Sequence, residues 1–274
     1  MWMLRVIMIE GVSIRAKIGA YEVLRSPKIV IESKRRQIVG TASLEVPDPT
    51  GEIRNGLNLG DKVQIIMRYK GDNPLEQTWQ GTIYSLQTEA DNIIVIAKGL
   101  EQVLLDTFIT EAFYEEPANI VAKRILEKTG YSIKTVDFGE FGLPYQVFSR
   151  CNLAGAIKQL SQTISQSYQV DLSKHALWLD NNRQWNFSNG NEDGDIFIIE
   201  TAKNLLSHRP PQKQGEMGEL ETVLLPSLTH SRIIKIRDSV RDIVQEVRAQ
   251  EVTHKMEQGK NRTIIRYGKD EGWG

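Results

Sequence analysis

Asp61-Lys62-Val63-Gln64-Ile65-Ile66-Met67-Arg68-Tyr69 alternates with a period of two. Val63, Ile65, Met67 and Tyr69 fall on one face, while Lys62, Gln64 and Arg68 fall on the other, with Ile66 as the exception. A strand turns successive side chains to opposite faces, so this pattern predicts a half-buried β-strand. Gly71-Asp72-Asn73-Pro74 reads as the turn that follows. Trp79 to Leu86 and Asn92 to Ala97 read as two further strands, parted by Glu89-Ala90-Asp91. The connections are too short for crossover helices, which predicts an antiparallel meander or barrel.

Outward from this core of strands, the start Met1-Trp2-Met3-Leu4-Arg5-Val6-Ile7-Met8-Ile9-Glu10 is apolar but broken by Arg5 and Glu10, and it reads as a first strand rather than a signal peptide. Downstream, two helices are predicted. Glu116-Pro117 opens one with proline at the first helical position. Its apolar stripe is Ala118, Val121, Ala122, Ile125 and Leu126, and Gly130 stops it. Asn152 caps the second, whose Leu153, Ile157, Leu160 and Ile164 share a face. Phe138 to Pro144 reads as a link between them. Short strands are expected near Tyr168–Leu172, Leu177–Leu179, Gln184–Phe187 and Ile196–Glu200.

Arg209-Pro210-Pro211-Gln212-Lys213-Gln214-Gly215 reads as a linker. Strands return beyond it at Leu220–Leu225, Ile233–Arg237, Val244–Thr253 and Arg262–Tyr267. Leu57 to Ile65 and Leu225 to Ile236 share a pattern: a leucine-rich approach, a polar turn, an alternating strand, then two more strands. The pattern predicts two related β-modules flanking a helical middle.

The chain has 274 residues, 40% of them hydrophobic and 25% charged. This is ordinary globular composition, and it excludes global disorder. A chain of this size buries roughly three quarters of its unfolded surface, so it needs no covalent staples. The formal net charge of −1 excludes a strongly basic nucleic-acid binder. That figure hides an asymmetry. Residues 1–70 carry 12 basic and 7 acidic side chains, and residues 71–140 carry 5 and 12. Residues 201–274 are again basic, with 13 and 10. Either the surface is simply solvated, or ends and middle face different partners. The single cysteine, Cys151, forbids an intrachain disulfide and suits a reducing compartment. The longest apolar runs, such as Ile93 to Ala97, fall far below the ~20 residues that span a bilayer, so no stable membrane insertion is expected.

The search for chemistry is mostly negative. His175, His208, His230 and His254 are scattered without ligand spacing and are expected at the surface or an interface. No nucleophile-elbow, zincin or P-loop pattern occurs. Cys151 precedes a helix cap but has no identified base. Lys34-Arg35-Arg36 lacks interleaved aromatics and reads as a solvated turn. Trp2, Trp79, Trp178, Trp185 and Trp273 read as core or interface anchors. One stretch fits the spacing of an EF-hand calcium loop, with Asn189, Asn191, Asp193 and Asp195 at positions 1, 3, 5 and 7, Gly194 at 6 and Glu200 at 12. Its flanks read as strands, whereas an EF-hand needs helices, so the expectation is a metal-free turn. No catalytic residue, cofactor site or metal site is assigned.

Taken together, the motifs resemble a known family. They run Gly60-Asp61-Lys62-Val63-Gln64-Ile65, Trp79-Gln80-Gly81-Thr82-Ile83, Ile94 to Leu100 with a short helix through Leu104-Leu105, Pro117 to Leu126 ending at Thr129-Gly130, Asn152 to Leu160, Leu224-Leu225-Pro226-Ser227-Leu228 and Glu251 to Lys255. The order is similar to that of the baseplate hub proteins of contractile-tailed phages, the late control protein D family. That family is related to the N-terminal part of the VgrG spike of type VI secretion. The resemblance covers nearly the whole chain. It departs at Thr229-His230-Ser231, where the family has a Pro-Gly-type turn.

The resemblance implies an α+β, mainly β fold: tube-like antiparallel β-barrels at 1–105 and 212–274, joined by a small α+β region at 106–211. It implies a non-enzymatic homotrimer whose ring adapts a six-fold tail tube to a three-fold spike. The partners implied are the tail tube protein and the central spike protein, with baseplate wedge and tape-measure proteins as further candidates. The genome would pass through the lumen without sequence-specific binding. The expected location is the virion tail baseplate, assembled in the bacterial host cytoplasm. A VgrG-like secretion component, a particle-borne cell-wall-degrading enzyme and a calcium-dependent binding module remain the alternatives.

Overall fold

The computed structural model describes residues 10–23, 26, 28–70, 76–190, 196–257, 259–269 and 271–273. The first part of the chain forms β1 (Glu10–Ile18), β2 (Tyr21–Val23), β3 (Lys28–Lys34), β4 (Thr41–Pro47), a one-turn helix α1 (Glu52–Gly56), β5 (Lys62–Lys70), β6 (Glu76–Glu89) and β7 (Asn92–Gly99). A 3-10 turn at Leu100–Gln102 leads into α2 (Val103–Asp106). The middle is β8 (Phe108–Pro117), α3 (Ala118–Glu127), β9 (Ser132–Val136), β10 (Gly142–Asn152), α4 (Leu153–Tyr168), β11 (Ala176–Leu179) and β12 (Gln184–Ser188). The last part is β13 (Phe197–Glu200), β14 (Leu205–Arg209), β15 (Gly218–Val223), β16 (Ile233–Asp238), β17 (Ile243–Glu257) and β18 (Lys260–Tyr267). The fold is therefore mainly β, with few helices and a large curled antiparallel sheet.

The alternation in β5 has the predicted consequence. Val63, Ile65 and Met67 are fully buried, and they pack with Ile18, Leu44, Ile83 and Val95 from neighbouring strands. Burying each such side chain contributes about 1.5–3 kcal/mol. Around this core the strands run β2-β1-β5-β6-β7-β4-β3. A second core lies among the C-terminal strands, around Leu220, Leu228, Ile234, Ile236, Val252 and Ile265.

The sequence pattern predicts two related end modules, and the structure joins the strands of the two ends edge to edge. β17 is 15 residues long and serves both sets. Its first half pairs with β16, and its second half lies between β18 and β3. Residues 251–257 face Lys34–Lys28 in antiparallel register. One 13-stranded sheet results. Leu224 and Met256 from the C-terminal set enter the first core, and Tyr69 Oη donates to the Leu224 carbonyl at 2.6 Å across the seam. The β13–β16 pair is parallel, an exception within the otherwise antiparallel sheet.

Between the ends, α3 and α4 pack on a two-stranded ribbon of β8 and β10. Asn152 Oδ1 accepts the Gly155 N–H at 2.7 Å and caps α4 as expected. Gly130 takes the left-handed conformation after α3 with φ of 78°. Pro117 stands one position outside that helix, in extended backbone.

Two middle elements differ from expectation. The segment expected as a strand at Tyr168–Leu172 begins as the last residue of α4, because the helical period continues from Ile164 to Tyr168. Gln169, with φ of 56°, ends the helix. The β8–β10 ribbon has no counterpart in the sequence reading. Its outer face carries exposed tyrosines and its inner face Ile109, Phe113 and Phe148, which masks the usual contrast of polar and apolar. The first strand expected at the start of the chain lies, over Met1–Ile9, outside the described residues, as do the turn Gly71–Pro74 and Trp2.

Candidate functional site

The three parts of the chain meet around Arg35. It sits in the turn after β3, within a Lys-Arg-Arg run that sequence pattern assigns to solvent, yet it is 1% exposed. Its Nε donates to the Glu271 carbonyl and one Nη2 bond goes to the Asn189 carbonyl, both at 3.0 Å. Another Nη2 bond reaches the Lys174 carbonyl, and Nη1 donates to Ser231 Oγ at 3.0 Å. A guanidinium presents five donors in a fixed fork, so it can satisfy several converging acceptors at once. The acceptors come from the middle, the C-terminal strand set and the C-terminal tail.

The histidines also correct the sequence reading. His208, His230 and His254 are buried, 2%, 7% and 3% exposed. His230 Nδ1 lies 2.9 Å from Ser231 Oγ. Ser231 thus accepts from Arg35 and its hydroxyl proton is free to face His230. Burial, with the Arg35 charge adding to it, pushes the His230 pKa down to about 3. Ser231 has φ of 70°, so the Thr229-His230-Ser231 turn reaches a left-handed conformation without glycine. His254 Nε2 lies 3.0 Å from the Leu228 carbonyl and Nδ1 3.0 Å from Thr263 Oγ1. Burial pushes its pKa down to about 4, against the Leu228 carbonyl bond, which raises it.

A third histidine forms a chain that superficially resembles a catalytic relay. His208 Nδ1 is 2.7 Å from Asp238 Oδ2 and Nε2 is 2.6 Å from Tyr267 Oη. A carboxylate that orients an imidazole is the arrangement of a general base. Here the His208 and Asp238 side chains are 0% and 1% exposed, so the network is closed off from solvent. Burial raises the Asp238 carboxyl, but bonds from His208, the Arg241 guanidinium and the backbone N–H groups of Arg241 and Val240 outweigh it and hold the carboxyl low. The network fixes the β16–β17 turn onto β14 and β18.

Beside the Arg35 junction lies a cleft of about 430 Å³, bordered by Trp79, Glu101, Trp178, Arg183, His230 and His254. Burial pushes the Glu101 carboxyl up to about 7, against its own backbone N–H and that of Gly40. The Oε1 of Gln77, on the same cleft, is buried without a partner among the described residues.

Of the calcium-loop residues, Asn189 offers its carbonyl to Arg35. The Glu200 carboxylate bonds Lys203 Nζ at 2.8 Å and faces Arg237 at 3.6 Å. Asn191, Asp193 and Asp195 lie outside the described residues. Both flanks, β12 and β13, are strands. No group of three or more potential metal ligands occurs among the described residues. Cys151 is half-buried at the end of β10, opposite Ile109. Trp185 is fully buried and Trp178 nearly so. No described helix is long and apolar enough to cross a membrane.

Some large apolar side chains remain outward. Tyr114 and Tyr145 face each other across the β8–β10 ribbon with ring centroids 4.9 Å apart, 63% and 56% exposed. Ile196, Ile198, Leu206, Val240 and Val244 are exposed on the C-terminal strand set.

Comparison with solved structures settles the fold. The 43 kDa tail protein of prophage MuSo2 from Shewanella oneidensis superposes with a TM-score of 0.68 at 11% identity, covering 94% of this chain and 98% of that one. The chain has a phage-tail-protein-like fold. A tail protein from Neisseria meningitidis MC58 shares this fold with a TM-score of 0.66 at 9% identity, over 95% of this chain and 97% of that one. The E. coli c3393 protein, described as a type VI secretion component similar to the T4 tail proteins gp27 and gp5, matches with a TM-score of 0.61 at 9% identity, over 94% of this chain and 78% of that one. No protein-family profile and no curated protein sequence matches the chain.

Proposed function

We propose that this chain is a structural hub of a contractile phage tail or phage-like particle, and not an enzyme. The observation that carries the reading is the near end-to-end match to tail proteins, 94% of this chain against 98% of the MuSo2 protein. The reading assigns tube-like barrels to residues 1–105 and 212–274 and a connecting region to 106–211. Two strand sets with separate cores, joined by β17, support it.

In this reading three copies form a ring in which six barrels meet a six-fold tube on one side and a three-fold spike on the other. Closed cyclic symmetry leaves no contact open to runaway polymerisation. The partners are the tube and spike proteins, with wedge and tape-measure proteins around them, and the genome passes through the lumen. The ring belongs to the virion tail baseplate and assembles in the host cytoplasm. Electron cryomicroscopy of the assembled particle tests this. Three copies at the tube–spike junction are expected, and six copies per ring, or none at that junction, overturns it.

The match to c3393 favours a secretion-spike component as the second reading. Tail-assembly genes beside this gene support the phage reading, and secretion-sheath and effector genes support the second.

A further inference from the structure

We propose that a cationic cleft between the first strand set and the connecting region binds an acidic polypeptide segment, through Lys17, Lys62 and Arg183. This inference does not depend on the hub reading.

The cleft follows from strand register. Lys17 on β1 faces Gln64 on β5, Gln64 faces Gln80 on β6, and Lys62 faces Thr82. Residues directly opposed across a pair share a face, as do alternate residues along a strand. All five side chains therefore project from one face of the sheet, while Ile18, Val63 and Ile65 fill the core on the other. Arg183 and Tyr131 come over this polar face from the connecting region and complete a cleft of about 500 Å³. Such a volume is that of a ligand-sized hollow, within the ~300–1,000 Å³ usual for binding pockets.

The charge in this cleft is one-sided. Lys17, Lys62 and Arg183 all line it, and no aspartate or glutamate among the described residues does, although Glu22 stands opposite Lys17 across the β1–β2 pair, outside the lining. None of the three has an ion-pair partner among the described residues, although Arg209, Arg237, Arg241, Arg262 and Arg266 are all paired. Asp61, beside Lys62, accepts the Asn58 N–H through Oδ2 at 2.8 Å. The carboxylate nearest Arg183 by sequence, Asp180, is also occupied. Its Oδ1 accepts the backbone N–H groups of Asn182 and Gln184, both at 2.9 Å, and so shapes the β11–β12 turn that carries Arg183. Arg183 also borders the neighbouring cleft, where Glu101 lies, but makes no ion pair with it.

Like charges held around a concavity focus a positive potential into it and attract an anionic ligand. The Arg183 fork suits a carboxylate in bidentate contact, and the two lysines supply point charges. Gln64 and Gln80 add amide donors and acceptors, which match the peptide groups of an extended segment. Binding of single-stranded nucleic acid instead uses a groove that tracks the backbone and aromatic platforms on which bases stack. This hollow is bounded, and Tyr131 is its only aromatic lining residue among the described ones. The chemistry favours aspartate and glutamate side chains.

The test is a titration of the full chain with a fluorescent hexaglutamate peptide, read by anisotropy. Saturable binding that weakens with added salt is expected. Lys62→Glu and Arg183→Gln should each weaken it about tenfold or more, as expected for loss of a charge-assisted contact. Lys158→Glu, on the exposed face of α4 and away from the cleft, should leave it unchanged. The three substituted side chains are exposed, so melting temperatures close to the parent confirm that each variant is folded. Absence of saturable binding overturns the proposal. Equal loss in Lys158→Glu overturns it too, since it would mean non-specific charge attraction. Tighter binding of a single-stranded oligonucleotide of equal charge, lost in Lys62→Glu, overturns the peptide assignment in favour of nucleic acid.

Discussion

Arg35 Nη1 donates a 3.0 Å hydrogen bond to Ser231 Oγ across 196 positions of sequence. The bond ties the turn after β3 to the turn before β16, on the side of the sheet where β3 and β17 pair. The same guanidinium holds carbonyls at Lys174, Asn189 and Glu271. Replacing it strands several acceptors at once in a buried place. Arg35→Met should lower the free energy of unfolding by about 3 kcal/mol or more, as loss of a buried polar network does. Denaturant titration measures this. The imidazole of His230 should then titrate higher than in the parent, because the Arg35 charge is gone, yet still below 6.5, because burial remains its larger cause.

Acid should begin to destabilise the protein below about pH 6.5, through its buried histidines. The folded-state pKa of His254 is about 4 and that of His230 about 3, both depressed from 6.5. The unfolded chain binds their protons first, so their contribution is complete above pH 6.5 and is lost as pH falls from there. Glu101 works the other way, since its folded pKa of about 7 lies above the ordinary 4.5. Between pH 6.5 and 5 unfolding therefore takes up two protons at histidines and releases one at Glu101. The net is one proton, or about 1.4 kcal/mol of stability lost per pH unit. Glu101→Gln removes the opposing term and should roughly double that slope. Urea midpoints at several pH values across this window decide it, and a flat parent profile would sink the assignment.

The His208–Asp238–Tyr267 chain is a strut, so its removal should cost stability. Asp238→Asn weakens the bonds to His208 and Arg241 in a place 1% exposed and should cost about 3 kcal/mol. Tyr267→Phe removes one hydroxyl contact and should cost about 1 kcal/mol. Thermal melts of the two variants should keep this order.

Gly81 on β6 approaches β7 closely. A Cβ there would lie 2.1 Å from the Lys98 carbonyl oxygen and 2.6 Å from the Trp79 ring. Neither the backbone of a paired strand nor a packed indole yields easily. Gly81→Ala should cost about 2 kcal/mol or more, as overpacking does, and should shift the denaturation midpoint accordingly.

Calcium should not stabilise the chain. Glu200, at the twelfth position of the loop pattern, is engaged by Lys203 and Arg237, which with burial working against them hold its carboxyl below the usual range. Millimolar calcium is expected to leave the melting temperature unchanged in the parent and in Glu200→Gln. A rise in the parent that Glu200→Gln abolishes would restore the calcium reading.

Much of the architecture is local and was legible. Alternation marked β5 because strand periodicity puts Val63, Ile65 and Met67 on one side whatever they pack against. Asn152 announced α4 because a cap acts within its own helix, on Gly155. The stripe of α3 was readable for the same reason. The order of these elements also carried the resemblance to tail hubs, since element order survives where residue identity, 11% against the MuSo2 protein, does not.

What only the tertiary structure decided depends on chain segments far apart in sequence. Arg35 looks solvated in a Lys-Arg-Arg run, and its burial follows from acceptors 139 to 236 positions away. The neutral, buried states of His230 and His254 arise from Ser231, Thr263 and Leu228 being brought around them. The β8–β10 ribbon hid because Tyr114 and Tyr145 are apolar on its outer face. The joining of β3 to β17 is edge pairing through backbone groups, which every residue but proline carries. No side-chain pattern encodes which strand edges will meet, so the single continuous sheet is set by the path of the whole chain.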